Sequence, residues 1–313
     1  MTALSRAAQG SCRSMNQTKK RVLITGANSY IGVSFDTWAK KHYPDELTVD
    51  TVDMIDGSWH EFDFSTYDCV FHVAGIAHAD VGNVSEERKQ FYYQINRDLA
   101  IETAQKAKRE GVKQFVFMSS AIIYGDSAPY GKQKMITADT EPAPTNFYGD
   151  SKWQADKGVR ALQSGDFNVA VLRPPMIYGK GSKGNYPTLA KMAKKLPVFP
   201  NVNNERSMLY IDNLTEFLCQ LMLRGDAGIY FPQNAEYTKT AEMVREIAAV
   251  SNHSIWVTKA FNWAVALASH MPGKIGGLAN KAFGNMTYEQ SMSEYDFEYR
   301  VADLKTSIER TEG

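Results

Sequence analysis

The residues best suited to chemistry are Tyr148 and Lys152 in Asn146-Phe147-Tyr148-Gly149-Asp150-Ser151-Lys152. A spacing of four places both side chains on one face of a helix. A phenol has a pKa of roughly 10 in water and is a poor base there. An ammonium on the same helix face is expected to favour the phenolate and lower that pKa. Such a pair suits moving a proton on or off a hydroxyl group. Ser120 ends the apolar run Gln114-Phe115-Val116-Phe117-Met118-Ser119-Ser120. A hydroxyl at the C-terminal end of a buried strand can hydrogen-bond the oxygen that Tyr148 deprotonates, or it can simply cap the strand.

These residues need a scaffold, and the order of apolar runs supplies one. Arg21-Val22-Leu23-Ile24-Thr25-Gly26 reads as a strand, Ala27 to Gly32 as a tight turn, and the amphipathic segment to Lys41 as a helix. Gly26 allows the sharp turn and Gly32 lets the helix approach the strand. Ser29, Tyr30 and Ile31 lie in that turn as candidate cofactor contacts, and the N-terminus of the helix that follows would face a pyrophosphate. Ser29 stands where a middle glycine is expected, so the fingerprint is degraded, and an ordinary strand-helix turn is the alternative. Leu47 to Asp53 reads as the second strand. The carboxylate of Asp53 at its end can accept from adenosine ribose hydroxyls and would repel a 2′-phosphate. No Arg or Lys lies between Val49 and Gly57, which favours NAD over NADP. A nearby oxidised nicotinamide would add a second positive charge beside Tyr148.

Glu61 to Phe64 is expected as a short third strand, with Asp63 near the adenine edge. Cys69 to Gly75 follows as another strand, and Ala74 would let the backbone approach a cofactor. His72 and His78 lack a third ligand, so no metal site is expected. Glu86 to Glu110 reads as a long helix containing Asn96 and stopped by Gly111. Residues 126–147 read as an active-site loop, Tyr148 to Gln163 as a helix, and Asn168 to Leu172 as a core strand ahead of Arg173-Pro174-Pro175.

Past residue 180 the strand-helix alternation fades. Asn185 and Arg206 stand out as polar positions among apolar runs. An arginine fork suits a diphosphate, although a surface ion pair fits the spacing of Arg206 equally well. Ile255 to Met271 is expected as one apolar helix, with a core or dimer role preferred over an interfacial patch meeting lipid. The expected organisation is an N-terminal extension over 1–18 (or upstream sequence, if Met15 is the start), a dinucleotide-binding part over 19–180 with later segments returning to it, and a substrate lobe over 181–313.

In the 313 residues, Lys+Arg and Asp+Glu balance at 35 each, which gives no overall bias toward nucleic acid or an anionic surface. No stretch reaches the roughly 18 apolar residues of a membrane span. Three scattered cysteines form neither a disulfide pattern nor a metal pattern, which points to a reducing, cytoplasmic setting.

The segments TGANSYIG (25–32), FHVAG (71–75), FVFMSSAIIYG (115–125), YGDSK (148–152) and LRPPMIYG (172–179) together resemble the extended short-chain dehydrogenase/reductase family, in its nucleotide-sugar epimerase/dehydratase branch. The resemblance implies an α/β fold: a Rossmann doubly wound parallel sheet with a smaller, mostly helical C-terminal lobe. It implies bound NAD, a UDP-linked or lipid-linked sugar as substrate, and a homodimer. By it, Tyr148 is the acid/base, Lys152 holds the nicotinamide ribose and tunes Tyr148, and Ser120 supports the reacting hydroxyl. Gly26 and Gly32 match the phosphate loop, Asp53 the ribose carboxylate and Asp63 the adenine contact. Asn96 matches a structural asparagine, and Asn185 and Arg206 match diphosphate positions. Two departures narrow the activity. Ser120-Ala121-Ile122 stands where the 4,6-dehydratases carry Thr-Asp-Glu, which disfavours dehydration. Pro174-Pro175-Met176 replaces the Tyr-Phe-Asn of UDP-galactose 4-epimerases, which puts that substrate contact in doubt. Epimerisation at C4 for surface polysaccharide is therefore the expectation, with a 4-keto-sugar reductase and a non-catalytic dinucleotide-binding regulator as alternatives.

Overall fold

Lys20–Thr25 forms β1 and Tyr30–His42 forms α1. The computed structural model describes residues 18–76 and 84–313. The extension expected over 1–18, with Met15, therefore lies outside the described residues but for Thr18, as do Ala77 and His78. β2 is Leu47–Val52, β3 is Cys69–His72 and β4 is Gln114–Met118. Between β3 and β4 the chain is helical as α2 (Glu86–Tyr93) and α3 (Leu99–Arg109), joined by a π-helical turn over Gln94–Asp98. The single helix expected over 86–110 is thus interrupted where Asn96 lies.

β5 (Met135–Ile136) breaks the long loop before α4 (Phe147–Arg160). β6 (Asn168–Leu172) and β7 (Met176–Tyr178) follow, then α5 (Asn185–Ala193), β8 (Val198–Pro200) and β9 (Met208–Tyr210). α6 (Ile211–Arg224) packs on α1, and β10 (Gly228–Tyr230) rejoins the first sheet. The chain ends with α7 (Thr240–Val250), β11 (Trp256–Thr258), α8 (Asn262–Ser269), α9 (Lys274–Phe283), β12 (Thr287–Tyr288) and α10 (Leu304–Glu312).

The main sheet has six parallel strands in the order β10-β6-β4-β3-β1-β2. Its inner strands β1, β3, β4 and β6 are largely buried on both faces, as a sheet covered on both sides requires, while the edge strands β2 and β10 are partly exposed. Val22 and Ile24 of β1 join one core cluster, with Phe35 of α1 and Leu214 of α6. Leu23 joins the other, with Ala104 of α3 and Val159 of α4. Phe115 and Phe117 of β4 share that second cluster, while Val116 and Met118 face the first. The strand order reverses between β1 and β3, and such a switch point opens a crevice at the C-terminal strand ends.

Two expected elements are absent. Residues 61–64 form no strand: a 3-10 turn over Ser58–His60 is followed by irregular chain. Phe62 and Phe64 alternate with charge as a strand would, but Phe64 is buried with Trp59 and Tyr67 in the core, so packing and not strand pairing orders the segment. Residues 255–271 are not one helix either. They divide into β11, which pairs with β8, a 3-10 turn, and α8. Ile255, Val257 and Val265 pack against the core, but Trp256, Trp263 and Leu267 are exposed, so the core role expected for this segment holds only for its inner side. The 126–147 loop is tied to the C-terminal part of the chain through the β5–β12 pair.

Candidate active site

α4 starts where Asn146 accepts a hydrogen bond from the Gly149 amide (2.9 Å). Asp150 in the first turn and Lys157 and Arg160 in the last complement the helix dipole. Its buried face carries Ser151, Lys152, Ala155, Asp156 and Val159. The helix lies against the turn that follows β4: a Cβ on Gly149 would stand 2.9 Å from the Ile122 carbonyl oxygen. The helix bearing Tyr148 and the turn bearing Ser120 are thereby held in contact.

Lys152 is buried, and its Nζ donates to the Met118 carbonyl (3.1 Å) and lies 5.1 Å above the Phe117 ring. Burial lowers its pKa from 10.5 to about 8. Tyr148 stacks edge-on to Tyr92 (6.2 Å between centroids), and burial raises its phenol to about 12, with Tyr92 adding to the rise. This reverses the direction expected from the Tyr148–Lys152 spacing. Desolvation of the phenolate outweighs an ammonium that is turned toward the backbone of β4. In the protein without ligands Tyr148 is a neutral phenol at physiological pH, and its hydroxyl makes no hydrogen bond with the described residues. Ser120 Oγ accepts from the Ile122 amide (3.3 Å), so the side chain also caps the 3-10 turn over Ala121–Tyr124.

Residues the spacing did not single out hold this arrangement. Ser151 Oγ donates to the Tyr148 carbonyl (2.8 Å) and accepts from Asn96 Nδ2 (3.3 Å). Asn96 in turn brackets Ile76, accepting from its amide (2.8 Å) and donating to its carbonyl (3.1 Å). The π turn thus ties the end of β3 to α4. Asp156 is fully buried and receives two hydrogen bonds from Arg173 (2.9 and 3.0 Å) and one from Arg160 (2.8 Å). Arg173 also donates to the Tyr124 hydroxyl (2.7 Å). Asp156 lies four residues beyond Lys152, a signal of shared helix face that was available in the sequence.

The crevice beside β1 fits a dinucleotide. Gly26 has φ +125°, and a Cβ there would stand 2.8 Å from the Ala74 amide nitrogen, so only glycine lets β1 and the chain after β3 close up. Ser29 caps α1: its Oγ accepts from the Gly32 amide (3.2 Å) and donates to the Gly26 carbonyl (2.9 Å). Its side chain is therefore folded into the turn. The Tyr30 and Ile31 amides, which open the helix, have no partner among the described residues, the arrangement that receives a phosphate. Asp53 is exposed directly after β2, with one carboxylate oxygen accepting from the Ile55 amide (2.8 Å). Asp63 is likewise exposed and accepts from the Ser65 amide (2.8 Å).

His72 is buried under this crevice, its Nδ1 2.8 Å from Thr25 Oγ1 and its ring held neutral by burial, with a pKa near 3. It is a core residue. Arg206 lines a cavity with Ala121, Pro175, Met176 and Thr287, next to the Ser120 turn. Its guanidinium donates to the Lys281 carbonyl and has no carboxylate partner among the described residues, and burial lowers its pKa. Asn185 stands apart, exposed on the first turn of α5 and not among the residues lining that cavity.

A parallel sheet with a phosphate-ready turn at its switch point and a buried lysine one helical turn from a tyrosine defines a dinucleotide-dependent enzyme of the short-chain type. Residues 22–231 match the NAD dependent epimerase/dehydratase family, and the chain belongs to it. The family is NAD-dependent. The chain is 26% identical over 283 residues to a UDP-glucose 4-epimerase of Vibrio cholerae, covering 84% of this chain and 85% of that protein. It is 26% identical over 226 residues to the N-acetyl-alpha-D-glucosaminyl-diphospho-ditrans,octacis-undecaprenol 4-epimerase of Escherichia coli O157:H7, covering 66% of this chain and 64% of that one, just under two-thirds of its length. In fold it is similar to the dTDP-4-dehydrorhamnose reductase of Bacillus anthracis in complex with NADP, with a TM-score of 0.67 at 19% identity over 94% of this chain and 98% of that one.

Two expectations follow from this geometry. Gly26→Ala should lower stability by about 2–4 kcal/mol, because the new Cβ meets backbone at a strained φ. Urea unfolding reads the stability, and NAD titration should find binding weakened together with it. Lys152→Met should behave in the opposite way in protein stripped of cofactor. A lysine whose folded pKa is depressed destabilises the fold below that pKa, and the unfolded chain holds the extra proton between pH 8 and 10.5. Wild-type stability therefore rises with pH across that window. The variant should be more stable than wild type at pH 7 by up to about 3 kcal/mol, less the lost bond to Met118, and the gap should close above pH 10.5. Urea unfolding at several pH values checks it.

Proposed function

We propose that the chain is a C4 epimerase of a nucleotide sugar, a UDP-hexose or UDP-N-acetylhexosamine. The observation that carries this is half-buried Tyr148 one helical turn from buried Lys152 on α4, which packs against the turn of Ser120 at the C-terminal edge of the sheet. Gly26, Ser29, Tyr30, Ile31, Gly32, Asp53, Asp63 and Ala74 would hold NAD along the switch-point crevice. Bound NAD supplies the hydride acceptor and, once reduced, the hydride donor.

Tyr148 takes the proton of the sugar 4-hydroxyl as the C4 hydride departs, and returns it to the other epimer after the 4-keto sugar has turned over. Its phenol is neutral in the ligand-free protein, because burial raises its pKa, so it becomes a base only when the positive charge of an oxidised nicotinamide stands beside it. Lys152 then favours the phenolate and holds the nicotinamide ribose. Ser120 donates to the 4-oxygen. Arg206, free of a carboxylate, pairs with the diphosphate in the cavity beyond Ala121. Ala121 and Ile122 offer no acid or base for removing water from C5–C6, which supports epimerisation over dehydration.

An undecaprenol-linked diphospho-sugar, named for the Escherichia coli relative, presents the same diphosphate and hexose and is the second substrate to test. Incubation of the purified protein with UDP-glucose and with UDP-N-acetylglucosamine, followed by proton NMR, should give the C4 epimer without added cofactor. No epimer from either sugar or from the lipid-linked one, even with NAD, overturns the proposal. Oxidation of NADH or NADPH by a 4-keto sugar would then identify a reductase.

A further inference from the structure

α8 and α9 pack against each other as a helical hairpin turned at Pro272-Gly273. Each helix leaves an apolar stripe uncovered. Trp263 and Leu267, one turn apart on α8, are 68% and 63% exposed, and Leu278 on α9 is 67% exposed. Trp256 on β11 and Phe261 ahead of α8 extend the apolar surface. Val265, Ala282 and Phe283 turn inward to the apolar core. A tryptophan-bearing apolar surface of this kind is unusual on a protein face that meets only water.

The charge along this stretch of sequence is one-sided. No Asp or Glu lies between Glu246 and Glu289, while Lys259, Lys274 and Lys281 do. The chain as a whole is balanced at 35 basic and 35 acidic residues, so this stretch is a local exception. A protein partner groove would need no such exclusion of carboxylates. An anionic lipid surface does, because each acidic residue brought to it is repelled and each lysine attracted. Tryptophan and leucine on short amphipathic helices with basic neighbours match the interfacial layer of a bilayer, where the apolar face sinks to the headgroup boundary.

We infer that the α8–α9 hairpin seats this protein on an anionic membrane surface. The position has a consequence for the site. The Lys281 carbonyl at the end of α9 accepts from Arg206, and Met286, Thr287 and Tyr288 just beyond α9 line the same cavity as Arg206. Docking the hairpin places the mouth of that cavity beside the headgroups. The inference does not depend on the epimerase reading, and its readout needs no turnover.

The test is flotation of the full chain with phosphatidylcholine vesicles, with and without phosphatidylglycerol. The protein should rise with the anionic vesicles and stay behind with the neutral ones, and raised salt should release it. The double variant Leu267→Glu/Leu278→Glu touches exposed positions only. Its thermal unfolding should match wild type, while its bound fraction falls about tenfold. Failure of wild type to float with anionic vesicles overturns the inference, as does flotation of the double variant at the wild-type level. Sedimentation equilibrium gives the third arm: a dimer of the wild type that the double variant dissolves, with no flotation of either, assigns the face to a second copy of this chain and overturns the membrane.

Discussion

Tyr148→Phe should lower kcat by about 10²–10⁴-fold while the protein folds and holds NAD as before. The phenol hydroxyl makes no hydrogen bond with the described residues, so its loss leaves no partner stranded. The ring contact with Tyr92 is retained by phenylalanine. Burial already keeps the hydroxyl protonated, with a pKa raised to about 12, so no folded-state charge is lost at neutral pH. The change therefore separates chemistry from stability. Sugar turnover by proton NMR, NAD released on denaturation and urea unfolding measure the three quantities separately. Turnover near the wild-type level would remove Tyr148 from the proton-transfer role.

The second large effect is structural. Asp156→Ala should destabilise the fold by about 3–5 kcal/mol, because it strands the buried guanidinium of Arg173. Asp156 is inaccessible and Arg173 is 5% exposed, and the pair joins α4 to the chain just after β6. Arg173 reaches on to Tyr124 in the turn that begins at Ser120. Loss of the carboxylate thus loosens both halves of the site at once. Asp156→Ala/Arg173→Met should recover most of the lost stability, since the unpaired charge is gone as well. Urea unfolding of the two single variants and the double variant closes that cycle. Equal stability of the single and double variants would mean that the guanidinium finds water on its own.

The core of the sheet was legible because parallel strands covered on both faces write themselves as short apolar runs. Val22–Ile24, Cys69–Phe71, Phe115–Met118 and Val169–Leu172 all lie where such runs end in glycine, serine or arginine. The βα turn and the Tyr148–Lys152 helix were legible from spacing for the same reason. Failures came where tertiary contacts override local pattern. Phe62 and Phe64 alternate like a strand, yet Phe64 fills the core beside Trp59 from irregular chain. The run 255–271 is rich in apolar residues with few charges, and its sequence does not say that its tryptophans face outward. The sign of the Tyr148 pKa shift was hidden because it depends on where Lys Nζ points and on how much water remains, and spacing fixes neither. Ser29 was read as a lost glycine, whereas its side chain caps the helix that the glycine would have opened. Local pattern shows Asn96 only as a residue within a long helix, and its structural role comes from the family resemblance. The π turn that aims it at Ile76 has no clear sequence mark.

The sixth strand of the main sheet, β10, and the helix that covers α1 both come after the excursion through β7, α5, β8 and β9. During synthesis the ribosome must therefore release the chain beyond Tyr230 before the sheet can close. Until then β6 presents an open parallel edge, and the face of α1 that later meets α6 is bare. Long-range parallel pairing of this kind is slow to form and exposed to association while it waits. A nascent chain stalled near residue 180 should accordingly be a client for chaperones, and protease protection of β1 to β6 should appear only after residues 211–230 have emerged.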